Sequence, residues 1–228
     1  MEDFIGFDRV GDCTSHIGDI SSVFTRIENN QLFLRITFDD MSLHHSKVDY
    51  FADGIVAEVE GIENVPFGLS LGDLVGNDLD LFNPYIKAVK RVGIPWYNLL
   101  GNHDINFDVE NDTLSDETYE AHFGPANYAF NHGKVHFLVL DDVLYPDPRD
   151  GKGYWGGFRE DQFQFIENDL KHVPKDHLVV LAMHIPLSEP DGVDTFRDED
   201  RKRLFELLKD FPNTLSLSAH THIQRQDF

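Results

Sequence analysis

The chain has 228 residues, 41% of them hydrophobic, with 41 acids against 19 bases and one cysteine, Cys13. That length can bury a sizeable core, no apolar run approaches the roughly 18 residues of a membrane span, and a lone cysteine excludes an internal disulfide. A formal charge of −22 repels phosphate polymers at long range, so extended nucleic acid is a poor partner.

The start, MEDFIGFDRVGD, has acids where an export signal has bases and lacks the apolar stretch that should follow. A cytoplasmic place is the default, and export would need a signal upstream. Residues 1–30 read as an extension adding a strand or hairpin to a domain over 31–228. Within 22–38, SVFTRIENNQLFLRITF, two apolar-rich runs flank Glu28-Asn29-Asn30-Gln31, which predicts a hairpin, and the second run ends in Asp39-Asp40. Val48, Phe51, Ile55, Val59 and Ile62 fall near helical spacing and predict a helix over 47–62.

The alternation then repeats. A strand over 67–71 runs into Gly72-Asp73, and Pro84 stands where a helix through residue 92 can begin. The apolar, aromatic run 94–100 reads as a buried strand that ends in Gly101-Asn102-His103-Asp104. A short helix over 116–123 leads to a strand over 127–130, a turn at 131–134 and a strand over 135–140. A helix over 160–171 carries Phe163, Ile166 and Leu170 on one face; a strand over 178–183, a loop over 186–194, a helix over 198–208 and a strand over 214–218 follow. Strands alternating with helices imply an α/β fold with parallel pairs.

Several predicted strands end in side chains that bind metals: Asp39, Asp73, Asn102, His184, and His220 with His222. Carboxyl ends of parallel strands form the crevice where α/β sheets bind ligands, so these groups can meet despite their separation in sequence. Singly, each suits a turn, a helix cap or a hydrogen-bonded core position. Convergence gives all of them one explanation.

Gly-Asp, Gly-Asn-His-Asp, His and His-Thr-His, in that order over about residues 33–222, resemble the calcineurin-like metallophosphoesterase family. The spacing runs 34 residues from Asp39 to Asp73, 29 to Asn102, 82 to His184 and 36 to His220. The resemblance implies a four-layer αββα sandwich of two mixed sheets with a two-metal site at their edge. It makes Asp73 the bridge between two divalent ions (Mn, Fe or Zn), with Asn102, His184 and His220 on one and Asp39 and His222 on the other. The implied activity is hydrolysis of small phosphate mono- or diesters by a hydroxide held between the ions. His103 would be the general acid, and Asp104 would orient its ring.

The sequence departs from that pattern in three places. Met41 stands where the family usually has His, two residues after the first aspartate, and a thioether ligates these harder ions poorly. Ala219 replaces the glycine of the usual Gly-His-Thr-His. The chain stops six residues after His222, where the family continues with further strands; a sheet edge left open there would favour association of two copies. Met41 and the early stop support the alternative of a catalytically impaired metal-binding or interaction domain. Within 151–156, GKGYWG satisfies a dinucleotide-binding spacing but follows no strand, so it reads as a loop. Its Tyr154 and Trp155, with Arg149 just before, either wall a substrate pocket or pack plainly.

Overall fold

A computed structural model describes residues 66–188 and 195–221, together with the backbone of 20–28 and 31–38. One sheet joins β1 (Ile20–Glu28), β2 (Gln31–Phe38), β3 (Gly68–Leu69) and β4 (Trp96–Tyr97) in the order β2-β1-β3-β4. The predicted hairpin is there, with Glu28 opposite Gln31 and the register running back to Ile20 opposite Phe38. β1 is antiparallel to β3, whereas β3 and β4 run parallel.

The second sheet contains β5 (Tyr128–His132) and β6 (Val135–Val139), an antiparallel hairpin in which His132 faces Val135 across a two-residue turn. A small antiparallel ladder of β7 (Val143–Leu144) and β8 (Trp155–Gly156), not predicted from the sequence, projects beyond it. β9 (Leu178–Ala182) and β10 (Thr214–Leu217) complete the second sheet in the order β10-β9-β6-β5, with both further pairings parallel. Both sheets are therefore mixed.

Burial shows why β9 is apolar at every position, and β6 at every position but His136, rather than at alternate ones. Val135, Phe137, Val139, Val180 and Ala182 pack into a core with Phe67, Leu69, Leu71 and Leu99 of the first sheet, between the two sheets. Leu138, Leu140, Val179 and Leu181 point the other way, into a second core shared with helices. A strand covered on both faces reads as one continuous hydrophobic run. Across the inter-sheet gap Tyr97 stacks on Phe130, centroids 3.9 Å apart at 9°, and Phe67 meets Phe137 edge-on at 5.5 Å.

Helix α1 (Phe82–Lys90) follows a short 3-10 turn at Leu79–Leu81 and carries Pro84 in its first turn, where a missing N–H removes no helical bond. It covers the outer face of β3 and β4 through Tyr85. Trp96 Nε1 donates to Ser70 Oγ at 2.9 Å, Ser70 Oγ lies 2.8 Å from the Tyr85 hydroxyl, and that hydroxyl donates to Asn98 Oδ1 at 2.7 Å. Two short helices, α2 (Asp112–Ser115) and α3 (Glu117–Phe123), then lead into β5.

Helix α4 (Glu160–Leu170) buries Phe163, Ile166 and Leu170 as its spacing predicts; its start is tied by Arg159 N–H donating to Gln162 Oε1 at 2.6 Å. Helix α5 (Asp198–Leu208) opens with Asp198, Glu199 and Asp200, matching the positive end of its dipole, and buries Leu204 and Leu208. The helix predicted over 47–62 lies outside the described residues, as does most of the loop over 186–194. No helix among the described residues is long and apolar enough to cross a membrane.

Candidate metal centre

The parallel strands of the two sheets end on a common rim. β3 leads to Asp73 and β4 to Asn102 from one sheet; β9 leads to His184 and β10 to His220 from the other. His184 joins the sheets: its Nδ1 donates to the carbonyl of Leu71 at 2.8 Å. Its Nε2 then points at Asn102 Oδ1, 2.9 Å away, at Asp73 Oδ2, 3.3 Å away, and at His220 Nδ1, 3.2 Å away. One ligand atom from each of Asp73, His184 and His220 lies within 4.8 Å of the others.

The backbone is bent to achieve this. Asp73 has φ 53° and His220 has φ 66°, left-handed values that non-glycine residues adopt at a cost of about 1–3 kcal/mol. The positive φ falls on His220 rather than on Ala219, which explains why alanine is tolerated in place of glycine there. Gly101 is required for a different reason: a Cβ there would overlap the backbone nitrogen and Oδ1 of Asp73. Gly72, at φ 90°, would put a Cβ 2.5 Å from His184 Nδ1.

Two buried carboxylates hold the loops that carry these residues. Asp104 accepts N–H bonds from Leu74 and Gly101 at Oδ2 (3.0 and 2.9 Å) and from Val75 at Oδ1 (3.0 Å), locking the loop after β3 to the loop after β4. Burial, with the charge of Asp73 adding to it, pushes the Asp104 carboxyl up to about 7. Asp142, just beyond β6, accepts from the backbone of His184 and Ile185 at 2.9 Å each, and burial pushes it up to about 7 as well.

These contacts correct the expectation that Asp104 orients His103. The Asp104 carboxylate faces backbone N–H groups, and the His103 ring is held elsewhere, by Asn77 Oδ1 at 2.7 Å from Nδ1. With Nδ1 committed to Asn77, Nε2 is the His103 ring nitrogen left to face other partners. Its backbone N–H donates to Asp73 Oδ1 at 3.0 Å, so one residue both touches the bridge candidate and flanks Asn102. Nothing in the sequence singled out Asn77. Asp142 did carry a usable signal, a carboxylate at the end of a strand, the same feature that drew attention to Asp73. Asp39 and His222 lie outside the described residues, as does Met41.

The donor set fits a divalent cation. With the hydrogen of His184 on Nδ1, its Nε2 lone pair faces a carboxylate and an amide oxygen, and three lone pairs directed at one point need a cation between them. Burial pushes the His184 imidazole down, but the Asp73 charge, with the hydrogen bonds to Asp73 and Leu71, pushes it up overall; burial raises the Asp73 carboxyl, and the charges of His184 and His103 hold it down. Carboxylate, amide oxygen and imidazole are all ligand types for divalent ions.

A profile of the calcineurin-like phosphoesterase family matches residues 16–224. Among solved structures, a dimetal phosphatase from Danio rerio superposes with a TM-score of 0.54 at 14% identity, covering 76% of this chain and 71% of that one. A purple acid phosphatase from yellow lupin (Lupinus luteus) seeds gives a TM-score of 0.54 at 16% identity, covering 89% of this chain and 38% of the lupin chain. No curated protein sequence matches.

Proposed function

Because the chain belongs to the calcineurin-like phosphoesterase family, we propose that it hydrolyses small phosphate mono- or diesters at the rim shared by its two sheets. The observation that carries this reading is the convergence of Asp73, Asn102 and His220 on Nε2 of His184. In it, Asn102, His184 and His220 hold one divalent ion, Asp73 bridges to a second, and Asp39 and His222 complete the second set. When bound, such ions supply a nucleophile activated at neutral pH and positive charge for the phosphoryl oxygens.

The chain's own groups do the rest. The Leu71 carbonyl fixes the His184 tautomer and so the direction of its free nitrogen. Asp104 and Asp142 hold the ligand-bearing loops in register before any substrate arrives. His103, oriented by Asn77, donates the proton that the departing alkoxide needs.

Elemental analysis after loading with Mn, Fe or Zn, followed by turnover of p-nitrophenyl phosphate and bis(p-nitrophenyl) phosphate, tests the reading. Near two ions per chain with turnover supports it. One ion or fewer and no turnover would instead favour an impaired metal-binding domain, the reading that Met41 supports.

A further inference from the structure

The segment between β7 and β8 is used by none of these roles, yet it is built firmly and ends over the site. Asp147 N–H donates to the Gly153 carbonyl at 2.8 Å, and Gly151 N–H donates back to the Asp147 carbonyl at 2.8 Å. The buried Asp147 carboxylate is gripped by Arg149 through its backbone N–H, Nε and Nη2. Trp155 then pairs with Leu144 in the ladder. Tyr154 is therefore bracketed by a hydrogen-bonded residue on each side.

Its ring meets the ring of His220 at 82°, centroids 5.8 Å apart, and His220 in turn meets His184 at 69° and 5.0 Å. The three rings form a row from the loop into the metal centre. Tyr85, Tyr128 and Tyr145 commit their hydroxyls to Asn98 Oδ1, the Asn98 carbonyl and Asp108 N–H. The half-buried Tyr154 has no hydrogen-bond partner among the described residues.

We propose that Tyr154 is a substrate-binding residue whose phenol donates a hydrogen bond to a non-bridging oxygen of a phosphoryl group held at this centre. The inference rests on the phosphoesterase reading and adds to it a residue outside the ligand set. A phenol donor beside His220 strengthens as charge grows on the phosphoryl oxygens.

The test uses the full chain loaded with Mn, comparing the parent with Tyr154→Phe, which keeps the ring against His220 and removes only the hydroxyl. Metal per chain is measured by elemental analysis, inorganic phosphate binding by calorimetry, and kcat/KM on p-nitrophenyl phosphate. The expected result is unchanged metal content with phosphate bound about tenfold or more weakly, the usual worth of a hydrogen bond to a charged group, and a matching fall in kcat/KM. Equal phosphate affinity in both proteins at equal metal content overturns the assignment. A parent that binds phosphate but cleaves no ester overturns the phosphoesterase reading alone, since the phosphate titration still decides the role of Tyr154. A parent that binds no phosphate overturns both.

Discussion

His184 and Leu71, 113 positions apart, are joined by a 2.8 Å hydrogen bond that ties the two sheets together at the rim. The bond serves both fold and site, because it satisfies a buried carbonyl and turns the other ring nitrogen toward Asp73, Asn102 and His220. His184→Ala is therefore expected to do two separable things. It leaves the Leu71 carbonyl without its partner, costing about 1–3 kcal/mol in urea unfolding of the metal-free chain. It also lowers metal content after loading, read by elemental analysis; parent-like metal content would remove His184 from the ligand set.

Gly101→Ala tests how closely the two loops must approach. The added methyl group overlaps the backbone nitrogen and a carboxylate oxygen of Asp73, so the strand-end loops must separate. We expect a loss of about 1–3 kcal/mol, the usual cost of forcing extra volume into packed structure. Metal uptake should fall with far-ultraviolet circular dichroism preserved. Gly93→Ala is the contrast, since its Cβ meets nothing within 4 Å and only its φ of 78° opposes the change.

In the proposed mechanism His103 is the proton donor, Asn77 holds it and Asp104 clamps the loops, and experiment should separate the three roles. His103→Ala should keep metal and lose about 10²–10⁴-fold in turnover on an alkyl phosphate, with a smaller loss on p-nitrophenyl phosphate, whose leaving group needs no proton. Asn77→Ala should show the same dependence on leaving group at lower amplitude. Asp104→Asn places an N–H donor against backbone N–H groups and should lower stability by about 1–3 kcal/mol. A leaving-group dependence in Asp104→Asn matching that of His103→Ala would restore Asp104 as the orienting group.

Away from the rim, Arg159 pairs with Asp112 and lies 3.7 and 3.8 Å from Asp116 and Asp141. Removing this guanidinium leaves buried carboxylates without a cation, so Arg159→Met should cost about 3–5 kcal/mol by urea unfolding. A loss under about 1 kcal/mol, as at an exposed pair, would show that the acids are neutralised by other means.

Asp116 gives that cluster a pH dependence. Burial outweighs the opposing pull of Arg159 and pushes its carboxyl from 3.8 up to about 6. The folded chain therefore holds more protons than the unfolded one between those values, so the contribution of Asp116 to stability is lost as pH rises through them. Asp116→Asn should remove that part of the slope and leave the variant more stable than the parent at pH 7 relative to pH 4. Parallel stability curves for the two proteins across this range would contradict it.

Local pattern alone determined several of the longer elements and their inward faces. A helix read over 160–171 with Phe163, Ile166 and Leu170 inward is observed at Glu160–Leu170, and the hairpin through residues 29–30 pairs as its apolar runs require. Order along the chain also placed Asp73, Asn102, His184 and His220 at strand ends, because parallel strands present their carboxyl ends on one side. What sequence could not determine was where each polar group at those ends would point. Asp73, Asp104 and Asp142 all follow strands, yet only Asp73 turns toward the imidazoles while the other two face backbone N–H groups. That choice depends on which buried N–H groups the packing of two sheets leaves without partners, and packing likewise sets Tyr154, 52 residues beyond Asn102, against His220. Both are settled only when the sheets meet, since a side chain's partner is the nearest group in space and not the nearest in the chain.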